Sequence, residues 1–367
     1  MMKLLPLALA LTFVACDEEQ PPVVETVNVP SADETPEATN EPPPLFTRRR
    51  PLMGTIFIIN VDAPPSVAEP AVNAALQEIE RLETVLSEWR EDSEISAVNR
   101  NAGVSPIVAS EEVFTVVNAG VNVSQWSEGG FDLSWAALRG LYDFRPGQQR
   151  IPQRREVRAR LPLIDYQRIE IDEETRSIFL KRRNMEIGTG GIGKGYALDR
   201  AGEILREAGI ENYMLFAGGQ VQVNGRRQDR AWRVGIMHPR ANETYFGFLE
   251  AESGSISTSG DYENVYFDED GRRWHHILDP RTGEPVERTM SVTLVAPSGL
   301  YADALSTAAF VLGPERAVEM IESLPFEVKA VIVGSDCVLH RVGTEDDLVM
   351  RTELDEQGRL PECVGAQ

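Results

Sequence analysis

Between residues 67 and 86, apolar side chains recur at Ala71, Ala75, Ile79, Leu82 and Leu86, a spacing that predicts a helix with one buried face. The same period predicts helices over Glu111–Gln125, Tyr196–Ala208 and Ala302–Leu312. Gly313-Pro314 stops the last of these, and another starts at Ala317–Glu322. Short β-branched and aromatic runs predict strands at Thr55–Val61, Tyr213–Phe216, Trp232–Met237, Tyr245–Glu250 and Ser291–Ala296, and Val328–Val333 has the same character. Strands arriving in groups, with long helices between them, make an α+β class. No Pro/Gly/Ser-rich linker divides residues 46–367, so one compact domain is expected there.

The N-terminus breaks this pattern. Residues 1–16 read MMKLLPLALALTFVAC, with Lys3 ahead of an apolar stretch from Leu4 to Val14 and then Ala15-Cys16. That is the layout of a secretory signal over residues 1–15. With Cys16 directly after the cut it resembles a bacterial lipobox, whose cysteine is lipidated; Phe13 stands where the pattern has Leu. A cleaved signal with an incidental cysteine is the alternative. Asp17 resembles an inner-membrane retention signal. Residues 17–45 hold eight Asp or Glu, seven Pro and no Lys or Arg, so residues 16–45 are expected to form a disordered, extended tether. Beyond Cys16 only Cys337 and Cys363 remain; in an oxidising compartment they could form one disulfide, which their spacing does not decide.

Charge narrows the partners. The 367 residues carry a formal net charge of −22, which argues against nucleic acid or anionic lipid as a partner through bulk electrostatics. No apolar run approaches the roughly 20 residues of a spanning helix, so a lipid anchor would be the sole membrane attachment.

The densest chemical signal is Gly188-Thr-Gly190-Gly191-Ile-Gly193-Lys194-Gly195, between the run Ile178–Ile187 and a helix. Strand, glycine turn and helix can present backbone N–H groups to phosphate. Two generic motifs nearly fit, and each fails at the residue that carries its chemistry. A dinucleotide fold wants an acid closing the next strand, which ends Phe216-Ala217-Gly218. A P-loop wants Ser or Thr after Lys194, where this chain has Gly195.

Several segments together resemble one family, the ApbE-type FAD:protein FMN transferases. They are Met53-Gly54-Thr55, Leu86–Ser96 with Asn99, Phe131-Asp132-Leu-Ser134, Gly190–Asp199, Ala217-Gly218-Gly219, Ser257–Tyr262, His276–Gly283 and Ala302–Thr307. They follow the family order from about residue 50 to 313. The resemblance implies a single ApbE-like, T-fold-related domain. It implies flavin contacts at Met53, Trp89, Gly130, Phe131, Asp132, Gly188, Lys194 and Ile277, and Mg²⁺ held by Gly191 (through its carbonyl), Asp303 and Thr307. Departures are Gly188, where the family commonly has an acid, so that any flavin contact by that side chain is lost; Ser134 for Thr; Gln220 for Asp, removing a charge of unknown role; and Trp89 as the aromatic.

The residues themselves suit this chemistry. Asp303 and Thr307 lie four apart on one helix face and offer two hard oxygens, as Mg²⁺ prefers, although Asp303 could equally serve a helix N-terminus. His276 is the histidine within the His-Ile-Leu-Asp segment. It can accept a proton at neutral pH or simply hydrogen-bond a phosphate. The implied reaction takes FAD as substrate: a Ser or Thr hydroxyl of an extracytoplasmic flavin subunit of an electron-transfer complex attacks the riboflavin-side phosphorus, and AMP leaves. Lys194, Mg²⁺ and the glycine-turn amides would offset phosphate charge. FAD hydrolysis and a non-catalytic flavin carrier are the alternatives. The implied location is the periplasmic face of the inner membrane.

Overall fold

Eight strands build the central sheet and stand in it in chain order, each antiparallel to the next: β1 (Phe46–Leu52), β2 (Thr55–Val61), β3 (Tyr213–Ala217), β4 (Gln220–Asn224), β5 (Ser253–Gly260), β6 (Thr289–Ala296), β7 (Lys329–Gly334) and β8 (Leu339–Val342). This computed structural model describes residues 44–361 apart from 146, 242 and 243, together with Cys363. Cys16, the signal 1–15 and all but the last two residues of the 16–45 tether lie outside the described residues. The described residues from Pro44 onward form one compact unit.

Helices inserted into this meander cover one face. They are α1 (Pro65–Leu86), α2 (Glu94–Arg100), α3 (Glu111–Trp126), α4 (Arg154–Arg160), α5 (Gly193–Glu207), α6 (Gly299–Leu312) and α7 (Pro314–Glu322). The apolar stripe of α1 is buried from Ala68 to Leu86, as its spacing requires, and joins Phe57, Ile59, Tyr213 and Leu215 in the main core. The opposite face packs Val221, Val223, Ile256 and Val333 against a three-stranded sheet of Trp232–Met237, Tyr245–Ala251 and Leu348–Met350. The molecule is therefore layered helix–sheet–sheet. Among the described residues no helix is long and apolar enough to cross a membrane.

The helix-side face of the sheet has one polar strip. On β4 and β5, Gln220, Gln222, Ser255, Ser257 and Ser259 all point toward α5 and α6, and all are buried. Their register makes Gln220 face Ser257 and Gln222 face Ser255. This strip underlies the functional site.

Two expectations change. The strand ahead of the glycine cluster is only Ser177–Leu180, and it belongs to a separate small sheet with Ile107–Val108 and Ile169–Asp172. Twelve residues separate it from α5, so no strand–turn–helix phosphate loop exists there. Helix α6 starts at Gly299 rather than Ala302, because Asp199 accepts from the Gly299 and Leu300 amides (2.7 and 2.9 Å) and Ser298 from the Tyr301 amide (3.3 Å). Cys337 and Cys363 are free, buried thiols in the second core, with Cys363 Sγ 3.4 Å from Met290 Sδ.

Candidate functional site

The site forms where α5 and α6 begin against each other, over the polar strip. Helix packing this close needs glycine on both sides. A β-carbon on Gly195 would lie 1.9 Å from the Gly299 carbonyl oxygen, and one on Gly299 would lie 2.4 Å from the Gly195 oxygen. This explains Gly195 where a P-loop would have a hydroxyl: the position serves a backbone crossing.

Asp303, in the second turn of α6, is 2% exposed. It does not cap its own helix. Its Oδ2 accepts from the Gly195 amide of α5 (3.0 Å), and its Oδ1 accepts from Gln220 Nε2 (2.9 Å). Gln220 is thus explained: an Asp there would face Asp303 with like charge, whereas the amide donates to it. Lys194 Nζ stands 3.8 Å from Asp303 Oδ2 and donates to the Gly190 carbonyl (2.7 Å). Burial nonetheless pushes the Asp303 carboxyl above the usual range, with the charge of Lys194 opposing the rise.

The expectation that the glycine-turn amides face phosphate needs correction for those of Ile192, Gly193 and Gly195. The Ile192 and Gly193 amides both donate to the Thr189 carbonyl (3.0 and 2.8 Å), and the Gly195 amide is taken by Asp303. The positive end of α5 therefore stabilises a protein carboxylate. Charge neutralisation for a ligand is left to Lys194, to the Gly190 and Gly191 amides, which meet no acceptor among the described residues, and to any bound cation.

Thr307 Oγ1 lies 3.4 Å from both the Asp303 carbonyl and Ser259 Oγ. A β-carbon on Gly191 would be 3.7 Å from Thr307 Oγ1 and 3.2 Å from Phe131 Cε2. Asp303 and Thr307 of α6 and Gly191 of the loop before α5 are thereby brought together. Among the described residues no cluster of three His, Cys, Asp or Glu could hold a metal, so Asp303 would be the one charged ligand, joined by neutral oxygens. That donor set fits Mg²⁺, which keeps waters and shares substrate phosphates. A buried carboxylate short of positive charge is also what a cation would relieve. The serines behind it were missed as site residues: Ser306 Oγ contacts Ser257 Oγ (2.6 Å) and Ser259 Oγ (3.0 Å).

His276 follows a two-stranded hairpin, Val265–Phe267 with Arg273–His275. Asp261 anchors the approach to this hairpin through a buried bidentate pair with Arg240 (2.7 and 2.6 Å). The His276 ring is solvent-accessible yet set in dense protein; that burial, with His275 and Lys194 nearby, lowers its pKa to about 4. Its Nδ1 is 3.0 Å from the Glu263 carbonyl, which can only accept, so Nδ1 carries the proton and Nε2 presents a lone pair. His275 faces inward, donating from Nε2 to the Val286 carbonyl (2.7 Å).

The remaining flavin candidates divide. Met53, at the β1–β2 turn, places its Cε 3.6 Å from a β-carbon on Gly193, and its amide donates to Glu83 (2.9 Å). Phe131 borders Gly191, and Gly130 lies against Leu312. Trp89 is 72% exposed, with the Arg139 guanidinium 5.2 Å over its ring. Gly188 sits against Ala136, Trp135 and Glu88. Two candidates turn their polar groups inward. The Asp132 carboxylate accepts from the Ser134 amide and hydroxyl (2.8 and 2.6 Å) and the Tyr166 amide (2.9 Å), and burial raises its pKa to about 6. Ile277 is buried, its amide bonded to His275 Nδ1 (3.3 Å) and its carbonyl to the Val286 amide (3.2 Å).

Comparison with known proteins agrees over this region. The ApbE family model matches residues 53–332. A Klebsiella pneumoniae protein described as an FAD:protein FMN transferase is 34% identical over 267 residues, 72% of this chain and 82% of its own. One of the same description from Vibrio cholerae is 33% identical over 296 residues, 78% and 87% of the two chains. Among solved structures, the ApbE protein of Thermotoga maritima superposes with a TM-score of 0.74 at 29% identity, covering 82% of this chain and 97% of that one. The flavin transferase ApbE of Vibrio cholerae gives 0.71 at 27% identity, covering 81% and 96%.

Proposed function

The chain belongs to the ApbE family, and from that membership we infer that it is an FAD:protein FMN transferase using Mg²⁺, with a Ser or Thr hydroxyl of a partner protein as acceptor. The observation that carries the reading is the meeting of Asp303, Thr307, Gly191 and Lys194 at the start of α5 and α6. In the reaction the acceptor oxygen bonds to the riboflavin-side phosphorus of FAD, the bond from that phosphorus to the AMP phosphate breaks, and the hydroxyl proton goes to His276 Nε2. Bound Mg²⁺ would neutralise charge on the pyrophosphate. Lys194 adds a second positive charge beside Asp303. Such transfers depend on positioning and charge more than on covalent participation by the enzyme, which suits a site of one carboxylate, one ammonium and one neutral imidazole.

The proposal extends to place and partner. Cys16 and the signal-like run before it support a lipid anchor in the inner membrane facing the periplasm, and acceptors would then be extracytoplasmic flavin subunits of electron-transfer complexes. The test is mass spectrometry of such a subunit after incubation with the chain, FAD and Mg²⁺, with AMP followed by chromatography. One FMN less one water should be added to a Ser or Thr, and chelation should stop it. Release of AMP with free FMN and no adduct would make the chain a hydrolase; absence of AMP would sink the reading.

A further inference from the structure

Glu88 follows α1 and is 8% exposed, an unusual place for a carboxylate with no cation within ion-pair distance among the described residues. One oxygen is anchored: Oε2 accepts from the Thr189 amide (3.3 Å) and lies 3.1 Å from the Thr189 hydroxyl, which also reaches the Leu86 carbonyl (2.7 Å). The other oxygen, Oε1, meets no protein donor among the described residues. It points across the glycine ribbon. A β-carbon on Gly188 would lie 3.2 Å from it, and one on Gly190 would lie 3.5 Å away. The nearby Arg139 is committed elsewhere, to the Glu88 carbonyl and to Glu186.

Oε1 is thus the open side of a largely buried side chain, reaching solvent and free to take a donor from a ligand. Its surroundings describe the donor. Gly188 and Gly190 make a floor without side chains, Trp135 Cζ2 stands 3.4 and 3.9 Å from their β-carbon positions, and Trp89 follows Glu88 in the chain. A flat floor with an indole ring beside it suits a planar heteroaromatic ring presenting an N–H at its edge. The floor runs directly into Gly191 and the Asp303–Thr307 site.

We propose that Glu88 is a recognition residue for FAD, its Oε1 accepting a hydrogen bond from an N–H at the edge of one of the ring systems of FAD, placed on the Gly188–Gly190 floor. This rests on the flavin reading of the site given above. FAD carries two such donors, the isoalloxazine imide and the adenine amino group, and the experiment separates them. FAD, FMN and AMP are titrated calorimetrically into the full chain and into its Glu88→Ala and Glu88→Gln variants, with Mg²⁺ present and melting temperatures recorded. Glu88→Gln keeps the volume and can still accept from the Thr189 amide, but then turns an N–H₂ toward the ring donor. Both variants should lose about ten- to hundredfold in FAD affinity. The loss should appear for either FMN or AMP alone, which names the ring. Unchanged FAD affinity in both variants overturns the proposal. So does an equal loss for FMN and AMP with a lowered melting temperature, since Glu88 would then only brace Thr189. A wild-type chain that binds none of the three ligands refutes the flavin reading itself, and that failure is visible before any variant is compared.

Discussion

Replacing Gly195 by Ala adds one methyl group at the point where α5 and α6 touch. That carbon would stand 1.9 Å from the Gly299 carbonyl oxygen, 2.4 Å from its carbon and 2.9 Å from Asp303 Cβ. The first two contacts are backbone, so no side-chain rotation relieves them, and the helices must part by about 1 Å. Overpacking of this kind costs about 1–3 kcal/mol. The same motion stretches the Gly195 amide to Asp303 Oδ2 bond, and a hydrogen bond to a charged group is worth about 1.5–3 kcal/mol. Together the expected destabilisation is about 3–5 kcal/mol, or roughly 6–10 °C in melting temperature for a domain this large. Displacing Asp303 by that distance should also slow FMN transfer on the order of a hundredfold. Differential scanning calorimetry and the AMP-release assay measure the two effects. Gly299→Ala, which drives a methyl group to 2.4 Å from the Gly195 oxygen, should behave the same way and provides a second approach to the same crossing. A Gly195→Ala enzyme with wild-type melting temperature and rate would refute the argument that this crossing holds the site.

Other perturbations address separate parts of the molecule. Asp303→Ala should slow transfer roughly a thousandfold, because metal-site charge stabilisation is worth several kcal/mol, while the fold persists by circular dichroism. His276→Ala should keep FAD binding but lose about 10²–10⁴ in transfer. With the His276 pKa lowered to about 4, the acid limb of wild-type kcat/KM should fall well below pH 6.5; a limb at the ordinary imidazole value would refute the lowered pKa, and a profile with no such limb would refute the base. Asp132 keeps its proton to about pH 6 when folded and loses it near 3.8 when unfolded, so the folded state binds more protons between those values. Its contribution to stability is therefore greatest below that window and declines as pH rises through it, by about 3 kcal/mol at most. Asp132→Asn should flatten that slope in urea titrations at pH 4 and 6. Cys16→Ser should move the protein from the membrane fraction to the soluble one; continued membrane partition would refute the lipid anchor.

Much of this protein is legible in its sequence, for a definite reason. Helices α1 and α3 and strand β2 announce themselves because one face of each is buried against carbon, and that burial leaves a period in the chain. Asp303 and Thr307 can be paired from spacing alone, since both lie on one helix. Strand β5 could not be found this way. Its residues, Ser253–Gly260, are nearly all small or polar, and Ser257 and Ser259 can be buried because Ser306 of α6 meets both hydroxyls. The parts that neighbours impose from far along the chain are equally silent in one dimension. Gln220 looks like a lost charge until it is seen donating to Asp303, 83 residues away. Gly195 looks like a failed phosphate loop until Gly299 crosses it, and Glu88 looks like an ordinary surface acid until Thr189 folds over it. Periodicity records what an element does to water. The partner of a buried polar group is chosen by tertiary packing, and Asp303, Gln220 and Glu88 are buried polar groups of that kind.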